Sequence, residues 1–148
     1  MLNIPPPVYT LAYVLIAAAL SYSAGWPRVP GLPLVPLAVL LVAAGLALSV
    51  TAIALFRRED TEINPVSTTN RKLVISGLYR FTRNPMYLGL VTITLGIAFW
   101  IGAWPMFLAP IAVFATANWM NVPFEEAKMR RQFGAEFDAY VSRVRRWI

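Results

Sequence analysis

Two residue types are missing from the chain altogether: it has no cysteine and no histidine. The first absence removes a disulfide framework, a thiolate nucleophile and a thiolate metal ligand. The second removes the commonest general base and the commonest metal ligand together. Zinc, haem and Ser-His-Asp chemistry are set aside on these grounds. Charge is scarce as well. Of 148 residues, 14% are charged and 58% hydrophobic, against about 25% and roughly 45–50% in ordinary soluble domains. A chain this apolar would leave large greasy patches in water, so lipid is its expected solvent. The length has room for a single domain, 1–148.

The charge that is present is confined. Twelve of the 13 Lys and Arg residues, and all seven acidic residues, fall in the segments 57–85 and 121–148. Basic clusters beside apolar spans are the positive-inside pattern rather than a nucleic-acid stripe, so the partner of the net charge of +6 is the bilayer and not nucleic acid. Met1 to Pro7 has no basic n-region, and no cleaved leader is expected.

An apolar stretch from about Val8 to Ala24 follows Pro5-Pro6-Pro7 and is broken by Gly25-Trp26-Pro27-Arg28. A second, about Leu34 to Phe56, carries no charge and ends at Arg57-Arg58-Glu59-Asp60. Residues to Pro85 are polar, with Asn64-Pro65 and Ser67 to Asn70 reading as loop. Met86 to Met120 is then uncharged, too long for one span of roughly 20 residues and short for two. A break near Gly102 to Pro105 divides it into a tight hairpin, 86–101 and 105–120, with Pro110 expected to kink the second member. The expected fold is an all-α integral membrane protein with about four transmembrane helices and both termini cytoplasmic. Trp26, Trp100 and Trp104 fall at the outer boundary, as interfacial anchors do. Gly45, Gly89 and Gly96 could open room for a lipid chain, but close helix packing is the favoured reading.

The C-terminal tail is amphipathic. Phe137, Tyr140, Val141, Val144 and Ile148 share one helical face, while Glu136, Asp138, Ser142, Arg145 and Arg146 lie outside it. Such a helix is expected to lie in the headgroup layer with its apolar side towards lipid. Arg143 sits on the flank of that stripe, within reach of something bound at the interface.

Two stretches can carry chemistry. In GLYRFTRNPMYLG, Gly77 to Gly89, Arg80 and Arg83 share a face if helical, and Pro85 suits the first position of the following helix. In EEAKMRRQFGAEFDAY, the adjacent acids Glu125 and Glu126 are costly at a membrane surface unless they pair or bind a cation. Pairing with Arg80, Arg83 or Arg130 is one reading and a ligand role is the other.

Together, GLYRFTRNPMYLG and EEAKMRRQFGAEFDAYVSRVRRWI resemble the signature of the isoprenylcysteine carboxyl methyltransferase and phospholipid methyltransferase families. These are membrane enzymes that use S-adenosylmethionine. The likeness runs from about Arg71 to the C-terminus, half of the chain, and carries little about the substrate. It implies a cofactor pocket on the cytoplasmic side with Tyr79, Arg83, Asn84, Pro85, Tyr87 and Gly89 in one wall and Glu125 and Glu126 in the other. Leu73, Val74 and Gly77 lie just upstream and, by the same resemblance, touch the cofactor. Carboxylates suit its cationic centres, Arg83 or Arg80 its carboxylate, and the Tyr rings its adenine or sulfonium. The family arginine that holds a substrate carboxylate corresponds to Arg143.

The implied function is methyl transfer to a lipidic or prenylated acceptor. A carboxylate acceptor is preferred, because it needs no general base and the chain has no histidine. Two positions depart from the family: Asn84 where many members have His, and Arg145 where Pro is common, so that the tail is expected to run on as helix. Phospholipid N-methylation by the same pocket, a membrane reductase using NADPH, and a scaffold whose charges only set topology are the other readings.

Overall fold

The computed structural model describes residues 4–59 and 72–148. The loop reading of Asn64-Pro65 and of Ser67 to Asn70 lies outside these residues. Three of the apolar stretches become helices with proline at the first or second position. In α1, Pro6–Ser23, Pro6 and Pro7 occupy the first positions, where a missing N–H forfeits no helical bond. α2, Val35–Arg58, ends with Arg57 and Arg58 in its last turn, where cations meet the free carbonyls. α3, Pro85–Ile101, begins at Pro85 itself. Their 18, 24 and 17 residues correspond to about 27, 36 and 26 Å, against a hydrocarbon core of about 30 Å. α1, α2 and the run Trp104–Phe133 are long and apolar enough to cross a membrane, with α3 a shorter apolar helix. Large side chains such as Leu11, Leu15, Leu40 and Val50 point outwards, where lipid would cover them.

The break between the last two spans falls where the sequence places it. Gly102 adopts a left-handed conformation (φ 71°) that an L side chain rarely takes, and its N–H donates to the Ala98 carbonyl at 2.9 Å. The α1–α2 turn is fastened to this one. Val29 N–H donates to the Gly102 carbonyl at 2.9 Å, Trp104 N–H to that of Pro27 at 3.1 Å, and the Arg28 guanidinium to that of Ile101 at 2.8 Å. Trp26, Trp100 and Trp104 are exposed around this end.

The fourth stretch departs from the expectation. Instead of ending near residue 120, it continues as one helical run to Phe133. A 3-10 turn (Trp104–Phe107) leads into α4, Leu108–Thr116, then a π-turn at Ala117–Asn121, then α5, Val122–Phe133. Pro110 sits in the first turn of α4, just after the 3-10 turn, where a missing N–H costs least. The irregularity comes later. Pro123 has no N–H for the Trp119 carbonyl, and the helix absorbs the loss by widening over one turn. Glu, Ala, Lys, Met and Arg then favour further helix through Phe133.

α6, Ala135–Arg143, also differs from the flat, lipid-facing helix expected. Phe137 and Tyr140 are buried against the protein, Val144 has left the helix (φ −119°, ψ 128°), and Ile148 is exposed. The tail therefore does not run on as helix through Arg145. Its carbonyls are held by the loop before α3, as described below.

α2 packs along α3 at backbone distance. A methyl group on Gly45 would stand 2.6 Å from the Gly89 carbonyl oxygen, and one on Gly89 would stand 2.2 Å from Ser49 Oγ. These glycines, with Gly96, serve packing. α1 lies against α4, where Ala17 meets Ala98, Ala103, Met106 and Ala109. Two polar contacts hold α1 there: Tyr13 Oη to Thr116 Oγ1 at 2.9 Å, and Asn121 Nδ2 donating to Tyr9 Oη at 2.9 Å.

Candidate active site

The stretch before α3 is folded by short-range bonds. A 3-10 turn at Gly77–Arg80 is followed by Thr82, whose N–H donates to the Leu78 carbonyl at 3.2 Å. This turn buries Tyr79, whose ring packs edge-on against Phe56 with centroids 5.4 Å apart. Pro85 then starts α3, and Tyr87 follows within its first turn on the same side of the molecule. From the opposite side α5 presents Glu125, Lys128 and Met129, spaced i, i+3, i+4 along one face. Between these walls lies a cavity of about 800 Å³. Ile4 to Pro7, Ser49, Ile53, Phe56 and Leu90 line it on the span side, and Phe137 and Tyr140 of α6 also face it.

The polar groups of the cavity are paired in a definite way. Tyr87 donates its hydroxyl to Glu125 Oε1 at 2.6 Å. Arg83 Nη2 donates to Glu126 Oε1 at 2.7 Å. Arg146 grips the same carboxylate as a fork, Nε to Oε1 at 3.2 Å and Nη2 to Oε2 at 2.6 Å. The tail is bound to the loop through its main chain. Arg83 Nη1 donates to the Val144 carbonyl, and Arg83 N–H to that of Arg145 at 3.1 Å. Asn84 Nδ2 and Thr82 Oγ1 both donate to the Arg146 carbonyl, at 2.9 and 3.2 Å. These bonds draw the chain out of helix after Arg143. Tyr140 donates to the Tyr79 carbonyl at 2.7 Å. Burial raises the Tyr79 phenol well above its usual range, with Tyr140 and Glu125 adding to the effect. Burial raises Tyr140 likewise, only partly offset by Arg83. Both stay hydrogen-bond donors at neutral pH.

Leu73, Val74, Tyr79, Arg83, Asn84, Pro85, Tyr87, Glu125 and Glu126 are brought together around this cavity. Three other anticipated positions are not. Gly89 faces α2, Gly77 meets the Leu55 side chain, and Arg143 is exposed with its Nε donating to the Ala139 carbonyl at 3.0 Å. Of the ion pairs open to the acids, Glu126 takes Arg83, whereas Arg130 pairs with Asp138 at 2.8 Å. Sequence reasoning missed Lys128, Phe137, Tyr140 and Arg146 as parts of the site. Lys128 was findable, being one turn after Glu125. The periodicity that points Phe137 and Tyr140 towards lipid is the same one that buries them here. Arg146 fell among the solvent charges because the helix was extended through it.

A sequence profile of phospholipid methyltransferases matches residues 34–136. An uncharacterized protein of Haemophilus influenzae is 33% identical over 63 residues, which make up 43% of this chain and the whole of that protein. No solved structure matches the chain. The matched region contains α2, α3 and α5 and with them both acids, Arg83, Tyr79 and Tyr87, while Tyr140 of the cavity lies beyond it. The chain belongs to the phospholipid methyltransferase family, within the superfamily that also holds the isoprenylcysteine carboxyl methyltransferases, and is a membrane methyltransferase for a lipid-related substrate.

Proposed function

We propose that the protein transfers a methyl group from S-adenosylmethionine to a lipid-borne acceptor at the cytoplasmic face of the membrane. One observation carries the reading: a carboxylate, Glu125, stands in the wall of a cavity whose other side is lined by the spans. The volume of about 800 Å³ is within the range of roughly 300–1,000 Å³ typical of cofactor and small-molecule sites. The residues fit the cofactor. Glu125 suits a cationic centre, the rings of Tyr79, Tyr87 and Phe137 offer π faces to a sulfonium or to adenine, and the buried Arg83 Nε–H has no partner among the described residues. When bound, the cofactor supplies a methyl group activated on sulfur. The chain supplies alignment and the exclusion of water by its apolar walls.

The geometry favours an amine as the acceptor group. Glu125, held by Tyr87, is positioned to take the proton that an ammonium loses before it attacks. The carboxylate reading relied on Arg143, which faces solvent. It keeps one support in the absence of histidine, since a carboxylate needs no base. The assay is methyl transfer from labelled cofactor in nanodiscs, with phosphatidylethanolamine and a prenylcysteine offered separately and products read by mass spectrometry. The expected result is methylation of the amine, falling at least ~100-fold in Glu125→Gln. A methyl ester on prenylcysteine alone would overturn the amine assignment. No transfer to either, with no binding of S-adenosylhomocysteine, would sink the methyltransferase reading.

A further inference from the structure

We propose that Arg146 is a positioning residue for the cofactor site, fixing Glu126 and, through it, Arg83 from behind the cavity wall. The inference rests on the methyltransferase reading above. Arg146 lies beyond the region shared with the family profile, and it does not line the cavity. It reaches the site through two separate parts of one residue. Its carbonyl accepts from Asn84 and Thr82, and so holds the loop that leads into α3. Its guanidinium takes both oxygens of Glu126, and so holds α5. A five-residue tail thus ties the two walls of the cavity at a single point.

The charge balance shows what the side chain does. Arg83 and Glu126 are mostly buried, with side chains 10% and 16% exposed. Left to themselves they would form a neutral pair sharing one oxygen, with the carboxylate free to rotate about its last bonds. Arg146, 36% exposed, occupies the second oxygen and removes that freedom. The direction of Arg83 is then set by Glu126 on one side and the Val144 carbonyl on the other. Its Nε–H is buried and has no partner among the described residues. A carboxylate held on both oxygens keeps its geometry when a ligand enters, whereas a free one would turn towards the ligand's cations or away with Arg83.

The two roles separate cleanly, because Arg146→Ala deletes the fork and keeps the carbonyl. Tail docking is read from Trp147, which packs at a tilt against Phe114 with centroids 4.9 Å apart and donates to Asn118 Oδ1 at 3.0 Å. Its emission is taken as the difference between each protein and the same protein carrying Trp147→Phe. The dissociation constant of S-adenosylhomocysteine is measured by calorimetry for wild type, Arg146→Ala, Arg146→Lys, Glu126→Gln and the Glu126→Gln/Arg146→Ala double variant. Arg146→Ala is expected to weaken binding roughly tenfold, with Trp147 emission unchanged. Arg146→Lys should recover part of the loss, and the double variant should bind no worse than Glu126→Gln alone. Wild-type affinity in Arg146→Ala overturns the positioning role and leaves the methyltransferase reading standing. So does a loss that Lys does not rescue and that comes with a shift of Trp147 emission, since the residue then only docks the tail. Absence of binding in the wild type overturns both.

Discussion

Glu125 and Glu126 are neighbours of one residue type, yet they do different things. Glu125 points at Tyr87 and the cavity, while Glu126 is consumed by two arginines. The difference follows from the helix, since adjacent positions are turned by about 100° and meet different surroundings. A hydrogen bond to a carboxylate is worth about 1.5–3 kcal/mol. Tyr87→Phe removes the only such bond from a phenol to Glu125 among the described residues and leaves a buried carboxylate short of a donor. We expect that variant to lose stability by about that amount, seen as a lower unfolding midpoint in detergent, and to bind S-adenosylhomocysteine more weakly. At this scale part of the site is legible in the chain. The Tyr and Glu residues announce themselves by being polar at the end of an apolar run. Nothing local says which acid goes to which cation, because Arg80, Arg83 and Arg130 are all available and differ only in where the fold puts them.

At the scale of elements, prolines and glycines decide most of what is seen. Pro6, Pro36 and Pro85 stand at helix starts, and Pro123 is accommodated by a π-turn that lets α4 and α5 form one run. Gly45 and Gly89 let α2 and α3 touch through their backbones. Gly45→Ala would place a methyl 2.6 Å from the Gly89 carbonyl oxygen and 2.9 Å from the Ile93 nitrogen, both main-chain atoms that have little room to give. Overpacking of this kind costs about 1–3 kcal/mol. The expected outcome is a lower thermal unfolding midpoint for Gly45→Ala, with α2 displaced from α3. An unchanged midpoint would show that the two helices part more easily than their contact suggests. The bounds of the first three apolar helices are readable because hydropathy is a local sum, while the run that continues past residue 120 to Phe133 is polar there and gives no such signal. The fate of α6 is not readable either: an apolar stripe reads the same whether lipid or protein covers it.

Among the described residues the charged clusters of α5, α6 and the loop before α3 lie at the end where α3 begins, and Trp26, Trp100 and Trp104 lie around the turns at the end where it stops. That polarity makes a prediction about sidedness, and the absence of cysteine makes it easy to test. A single cysteine at Arg131, exposed on α5, should react with a membrane-impermeant maleimide only in inside-out vesicles. One at Ser23, exposed beside the α1–α2 turn, should react only in right-side-out vesicles. The opposite pattern would turn the proposed orientation over and move the cavity to the outer face. The apolar segments, the one-sided charge and the two motifs are properties of the sequence by itself, because each depends on residues close together along the chain. Helix formation in lipid then follows from the need to satisfy the backbone internally. Only the tertiary structure decides that the tail leaves its helix at Val144, that Arg146 joins Arg83 on Glu126, and that Phe137 and Tyr140 wall a cavity instead of meeting lipid. Those outcomes depend on carbonyls and carboxylates about 20 to 60 residues away in sequence. Competing pairings differ by only about 1–3 kcal/mol, and proximity in the folded chain selects among them.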